Sequence, residues 1–281
     1  MKSIAELQAL ATQVRRDILR MVYHAKSGHP GGSLGCTDFL VTLYTNIMKA
    51  DPQHFTEKGE GEDIFFLSNG HISPVWYSVL ARTGFFPISE LTTFRQVGSR
   101  LQGHPTNHYH LPGIRIASGS LGQGLSVAVG AALAKKMNDD KQLVYVLTGD
   151  GELDEGQNWE AILFASANKV DNLITVVDYN KKQIDGSTDD VCSLGDLRAK
   201  FEAFGWDVVE MNGNDIVDVM DKMDVAKSKL HRQKPVVVLM HTEMSMGVDF
   251  MMGTHKWHGV APNEEQIKVA LAQLPETIGD Y

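Results

Sequence analysis

Only two cysteines, Cys36 and Cys192, occur in 281 residues, and they lack the spacing of a metal-binding pair. A disulfide-stapled scaffold and a structural zinc site are excluded, and both thiols read as reduced packing residues of a cytoplasmic chain. No stretch approaches the roughly 20 consecutive apolar residues that a bilayer-spanning helix needs. Near the N-terminus Lys2, Glu6, Arg15, Arg16 and Asp17 leave no uncharged run, so no signal peptide is expected. Positive charge is scarce as well: 26 Lys and Arg against 35 Asp and Glu give a formal charge of −9. That balance argues against a general nucleic-acid binder. An anionic small molecule stays compatible, because local His, Lys and backbone N–H groups can outweigh a negative total. Repeats, low-complexity tracts and Pro/Ser-rich linkers are missing too. A single domain spanning 1–281 is therefore expected.

What is present is an alternation of apolar strands and amphipathic helices. Residues 4–25 carry Ile4, Leu7, Leu10, Val14, Ile18 and Met21 near one helical face. The run Ser27-Gly28-His29-Pro30-Gly31-Gly32 breaks this helix, and a second is expected over 37–48. Strands are expected at 63–67, 143–148, 173–178, 206–210 and 236–240. Helices are expected around 74–82, from Gly119 to about Met137, and at 156–168, 194–204, 215–230 and 263–274. Short polar joins between them predict an α/β fold, a doubly wound, mostly parallel sheet flanked by helices. Residues 85–118 fit no regular element and are expected to pass over the active face.

Gly149-Asp150-Gly151 follows one of these strands, and Asn180 ends the next. Both lie at strand C-terminal ends, where open parallel sheets bind ligands. A carboxylate and an amide oxygen are hard ligands suited to Mg²⁺ or Ca²⁺. The glycines allow the backbone to approach a bulky anion, so a magnesium-bound diphosphate is the natural occupant. Four histidines stand in Gly-rich or polar turns: His29, His71, His104 and His258. Imidazole donates, accepts and shuttles protons near neutral pH, which suits sugar hydroxyls and carbonyls. HExxH and CxxC spacings are missing, so the histidines are not read as metal ligands.

Six motifs, in chain order, carry a family resemblance. They are Ser27-Gly28-His29-Pro30-Gly31, Leu67-Ser68-Asn69-Gly70-His71, Gly103-His104-Pro105, Gly119-Ser120-Leu121-Gly122-Gln123-Gly124, Gly149 through Gly156, and Trp257-His258-Gly259. Together they resemble the N-terminal, thiamine-diphosphate-binding part of transketolases. The resemblance implies Asp150, Asn180 and the backbone carbonyl of Lys182 as metal ligands. Gly119, Ser120, Leu121, Gly151, His71 and His258 match cofactor-binding positions. His29 and His104 match residues that hold substrate oxygens, and Glu155 and Glu160 match acidic positions at a subunit interface near the cofactor. His29, His71, His104, His258 and Glu155 are thus the candidate catalytic set. Ser120 stands where many members have Pro, and Lys182 where an apolar residue is common.

The implied activity is transfer of a two-carbon glycolaldehyde unit from a ketose phosphate to an aldose phosphate, within pentose phosphate metabolism. The pyrimidine-binding domain, with the glutamate that activates the cofactor, has no counterpart here. The resemblance therefore implies, as partner, a C-terminal transketolase subunit in an α2β2 heterotetramer. Competing readings are part of a 2-oxoacid dehydrogenase, a deoxyxylulose-phosphate-synthase-type enzyme, a transketolase for an unusual phosphorylated or sulfonated sugar, and a non-catalytic scaffold. The first two share the Asp and Asn but not the full set of histidine motifs.

Overall fold

A computed structural model describes residues 1–281. The chain opens with α1 (Ile4–Ala25), then α2 (Pro30–Gly35) and α3 (Thr37–Thr42). Next come β1 (Ile64–Leu67), α4 (Ser73–Arg82), α5 (Gly124–Met137), β2 (Val144–Gly149), α6 (Gly156–Ala167) and β3 (Leu173–Tyr179). A small hairpin of β4 (Lys182–Gln183) and β5 (Gly186–Ser187) leads into α7 (Thr188–Val191) and α8 (Leu197–Ala203). The remaining elements are β6 (Asp207–Asn212), α9 (Ile216–Ser228), β7 (Val236–His241) and α10 (Glu264–Gln273).

Local chemistry explains the boundaries. Ser3 and Glu6 close α1 with a reciprocal capping box, and Lys26 ends it in the left-handed conformation. Asn263 and Gln266 do the same at the start of α10. The expected break after α1 is shorter than its glycines suggest. Pro30 sits in the first turn of α2 and pre-sets the helical φ, so Gly31 and Gly32 are helical. The helix expected over 37–48 keeps its α-geometry only to Thr42 and then widens into a π-turn over Leu43–Ile47. The hairpin after Asn180 had no counterpart in the expected elements, because two-residue strands leave no period to read.

Five strands form one wholly parallel sheet in the order β1-β2-β3-β7-β6. Alternate residues face opposite cores, the two-residue period of a strand. Phe65, Leu67, Tyr145, Leu147, Ile174 and Val176 join a cluster covered by α1, α3, α4, α9 and α10. Ile64, Phe66, Val144, Val146, Leu173 and Val177 join a second cluster under α5, α6 and α8. The doubly wound expectation holds, and burial on both faces is why the strands read as continuous apolar runs. The segment 85–118 forms only 3₁₀ turns, yet Leu91, Phe94, Leu101, Leu111 and Ile114 root it in the first core. Of the two thiols, Cys36 is buried as expected, whereas Cys192 is exposed rather than packed.

One buried ion pair holds the helix that follows the β1 turn. Asp17 on α1 is fully buried and accepts bonds from Arg82 Nε at 2.8 Å, Arg82 Nη2 at 2.9 Å and Ser78 Oγ at 2.7 Å, all on α4. Replacing Asp17 with Ala leaves Arg82 charged and unpaired inside the protein. A loss of about 3–5 kcal/mol is expected, measured by urea unfolding.

Candidate functional site

A cavity of about 300 Å³ lies over the C-terminal ends of β2 and β3. Each loop that enters it is placed by the sheet or by α1 and α2. His29 caps α2, and Gly31 N donates to Trp257 O at 3.2 Å while Ser245 N donates to Gly31 O at 2.9 Å. These bonds draw the loop that carries His258 onto the start of α2. His71 occupies a 3₁₀ turn directly before α4. His104 arrives from the irregular segment and packs on Gly119, whose φ of +135° and 3.0 Å approach leave no room for a side chain.

Three imidazoles thereby gather around that of His29. Ring centroids lie 5.0 Å from His71, 5.8 Å from His258 and 6.4 Å from His104, and His71 stacks on His258 at 5.2 Å. Burial comes first in holding all four below the ordinary histidine range. His29 is pushed down to about 4, by burial and then by the charges of His258, Arg95 and His104. The Nδ1 atoms of His29 and His258 are buried without a hydrogen-bond partner in the protein. Buried polar atoms without partners are rare in folded chains, and here two point to a ligand that supplies them.

The acidic side of the cavity is built by the two strand ends. Asp150 accepts from Gly151 N at 2.8 Å and Lys181 N at 2.5 Å. Asn180 Oδ1 accepts from Lys182 N at 2.8 Å, and its Nδ2 donates to Asp178 Oδ2 at 2.9 Å. Burial, and then the neighbouring Asp178, push the Asp150 carboxyl up to about 8. A cation is what would restore its charge. No three His, Cys, Asp or Glu side chains gather as a metal cage. The oxygens that Asp150 and Asn180 bring to the cavity are a carboxylate and an amide, hard donors of the kind that suit Mg²⁺ or Ca²⁺.

His29, His71, His104, His258, Gly119, Leu121, Asp150, Gly151, Asn180 and Lys182 all line this one cavity. Ser120 and Glu155 are exposed and stand outside its lining, as does Glu160. The sequence reading missed Asp178, which is fully buried and also accepts from Thr242 Oγ1 at 2.5 Å. An Asp two residues before Asn180, on an otherwise apolar strand, was the available signal. It also missed Glu152, whose carboxylate joins three of the cavity's turns, and Asn69, Gln183 and Ile184 in the lining.

A family model for the transketolase thiamine-diphosphate-binding domain matches residues 7–275. The chain belongs to the transketolase family. It is similar to one of the apulose-4-phosphate transketolase subunits of Phocaeicola vulgatus, with 38% identity over 98% of this chain and 96% of that one. Identity is also 38% to the 6-deoxy-6-sulfo-D-fructose transketolase subunit SqwG of a Clostridium species, covering 96% of each chain. Among solved structures, the transketolase from Leishmania mexicana superposes with a TM-score of 0.87 at 31% identity. All of this chain is covered there, but only 43% of that one. A Pichia stipitis transketolase in complex with sedoheptulose 7-phosphate gives 0.88 at 33%, covering 97% and 41%. This transketolase chain thus spans about two fifths of those two proteins and nearly the full length of the relatives named as subunits.

The low histidine values set a pH dependence for the transketolase fold. His29 titrates near 4 when folded and near 6.5 when unfolded, so between these values the unfolded chain binds more protons. Folding stability is expected to fall as pH drops from about 6.5 through about 4. His29→Gln should flatten that slope, read from urea midpoints across the range.

Proposed function

We propose that this chain is the diphosphate-binding half of a two-chain transketolase that moves a two-carbon ketol unit from a ketose phosphate to an aldose phosphate. The gathering of four neutral histidines in the same cavity as Asp150 and Asn180 carries the reading. When bound, thiamine diphosphate supplies the carbanion and the electron sink for cleaving the bond beside a ketose carbonyl. Asp150, Asn180 Oδ1 and the Lys182 carbonyl would hold Mg²⁺, with Ca²⁺ as the hard alternative. Gly119, Leu121, Gly151, His71 and His258 border the space the cofactor would fill.

His29 and His104 are the groups assigned to substrate oxygens. A neutral imidazole carries one N–H and one lone pair, so it can donate to a carbonyl oxygen or take a proton from a hydroxyl. Both directions are needed when sugar oxygens gain and lose protons across a bond cleavage. The low titration of His29 keeps it in that dual-purpose state throughout the physiological range.

The partner is a C-terminal transketolase subunit with a pyrimidine-binding domain, in an α2β2 assembly of the cytoplasm. Val127 on α5 and Leu163 and Phe164 on α6 are exposed apolar side chains, which supports a docking face there. Exposed Ser120, Glu155 and Glu160 fit positions that would meet a second chain. The names of the full-length relatives favour a second reading of the substrate, a less common phosphorylated or sulfonated sugar.

Two measurements test the function. Asp150→Ala should abolish Mg²⁺-dependent binding of thiamine diphosphate in calorimetry, and Asn180→Ala should weaken it strongly. Unchanged affinity in Asp150→Ala would remove the metal site. Ketol transfer from xylulose 5-phosphate, or from a panel of phosphorylated and sulfonated ketoses, should require co-purification with the C-terminal subunit. Transfer by this polypeptide alone would sink the two-chain assignment, and preferential consumption of pyruvate would move it to another thiamine enzyme class.

A further inference from the structure

The protein has nine arginines, and seven of them form ion pairs with a carboxylate. Arg232 is exposed to water. Arg95 alone is sheltered without an acidic partner, and its Nε is buried with no hydrogen-bond acceptor. A desolvated, unpaired guanidinium is costly to keep. Its contacts show what it holds. Nη1 donates to Ser27 Oγ at 2.9 Å, in the turn that bears His29. The guanidinium also lies flat against Gly103, in the turn that bears His104. A Cβ at Gly103 would fall 2.6 Å from Arg95 Cζ, so only glycine admits this approach. Arg95 N donates to Leu101 O at 2.9 Å, and its φ of 59° is set by that tight turn.

We propose that Arg95 is the positioning residue of the histidine cluster: it ties the turn bearing His29 to the turn bearing His104 and sets an unpaired positive charge behind both rings. Arg95 does not line the cavity, so its action runs through the two imidazoles. The charge opposes protonation of His29 and His104, in addition to burial. It does not bear on His71 or His258, whose neighbours are the other histidines and His255 respectively. The groups facing His29 are therefore His71, His258, His104 and Arg95, and Arg95 itself faces Tyr77 and Ser27. The proposal rests on the transketolase reading only for its kinetic consequence. The clamp and the field belong to the chain itself.

The experiment is a histidine NMR titration of the full chain without cofactor, with the rings assigned by His29→Gln and His104→Gln. In Arg95→Gln, the values for His29 and His104 should rise toward 6.5 while those of His71 and His258 stay within the scatter of the unsubstituted protein. Arg95→Lys keeps the charge but loses the planar fork, so the titrations should stay low. Ser27→Ala, which removes one bond of the clamp and leaves the charge, should behave like Arg95→Lys and serves if Arg95→Gln does not fold. In the assembled enzyme, Arg95→Lys should lower kcat by about 10²-fold, the scale of a misplaced catalytic group, with cofactor affinity unchanged. Unmoved His29 and His104 titrations in Arg95→Gln, or an equal rise in all four histidines, would overturn the proposal. If the titrations shift as stated but no ketol transfer is found, the functional reading fails and the clamp stands.

Discussion

Glu152 is a carboxylate taken out of water to hold three turns at the carboxyl edge of the sheet. Its Oε1 accepts from Gly122 N at 2.8 Å and from the Ser68 hydroxyl, and its Oε2 accepts from Gly149 N at 3.0 Å. Ser68 follows β1, Gly149 ends β2 and Gly122 lies in the turn before α5, so one side chain fixes their relative heights. Burial pushes its carboxyl up, while the three donors pull it back toward the charged form. Charge-assisted bonds of this kind are worth about 1.5–3 kcal/mol each, and they offset part of the cost of desolvation. Asn69, Leu121 and Asp150, which line the cavity, each adjoin one of these three anchored positions.

The histidine cluster follows from a different constraint, the burial of its rings against one another. Four imidazoles within a few ångströms cannot all be charged, and burial already favours their neutral forms. A neutral cluster has both donors and acceptors to offer, which a cationic one would not. The same cavity holds Asp150 and Asp178, whose carboxyls burial drives upward. One side of the cavity thus rejects protons and the other attracts positive charge. A cofactor with an anionic, metal-bound end and a reacting centre that needs proton transfer matches that division.

The chain's architecture also bears on the proposed two-chain assembly. Its parallel sheet is covered on both faces by its own helices, so the fold is complete around its two cores. Exposed apolar side chains remain on α5 and α6, among them Val127, Leu163 and Phe164. The relatives that match over nearly their whole length are named as subunits.

The sheet and its helices were legible in the sequence, because the central strands are nearly continuous apolar runs and the long helices repeat their buried residues near 3.6 positions. Asp150, Asn180 and the four histidines were legible too, since glycine-rich turns at strand ends mark where ligands sit. Asp178, Glu152 and Arg95 were not. Each acts through partners far along the chain or on a neighbouring strand end, as Glu152 does with Ser68 and Gly122, 84 and 30 residues away. The hairpin at 182–187 escaped because two-residue strands carry no period. The sequence by itself determined which turns bear the chemistry. Only the tertiary structure decided that four histidines from separate turns share one cavity, because burial and inter-turn distance depend on packing that no local spacing encodes.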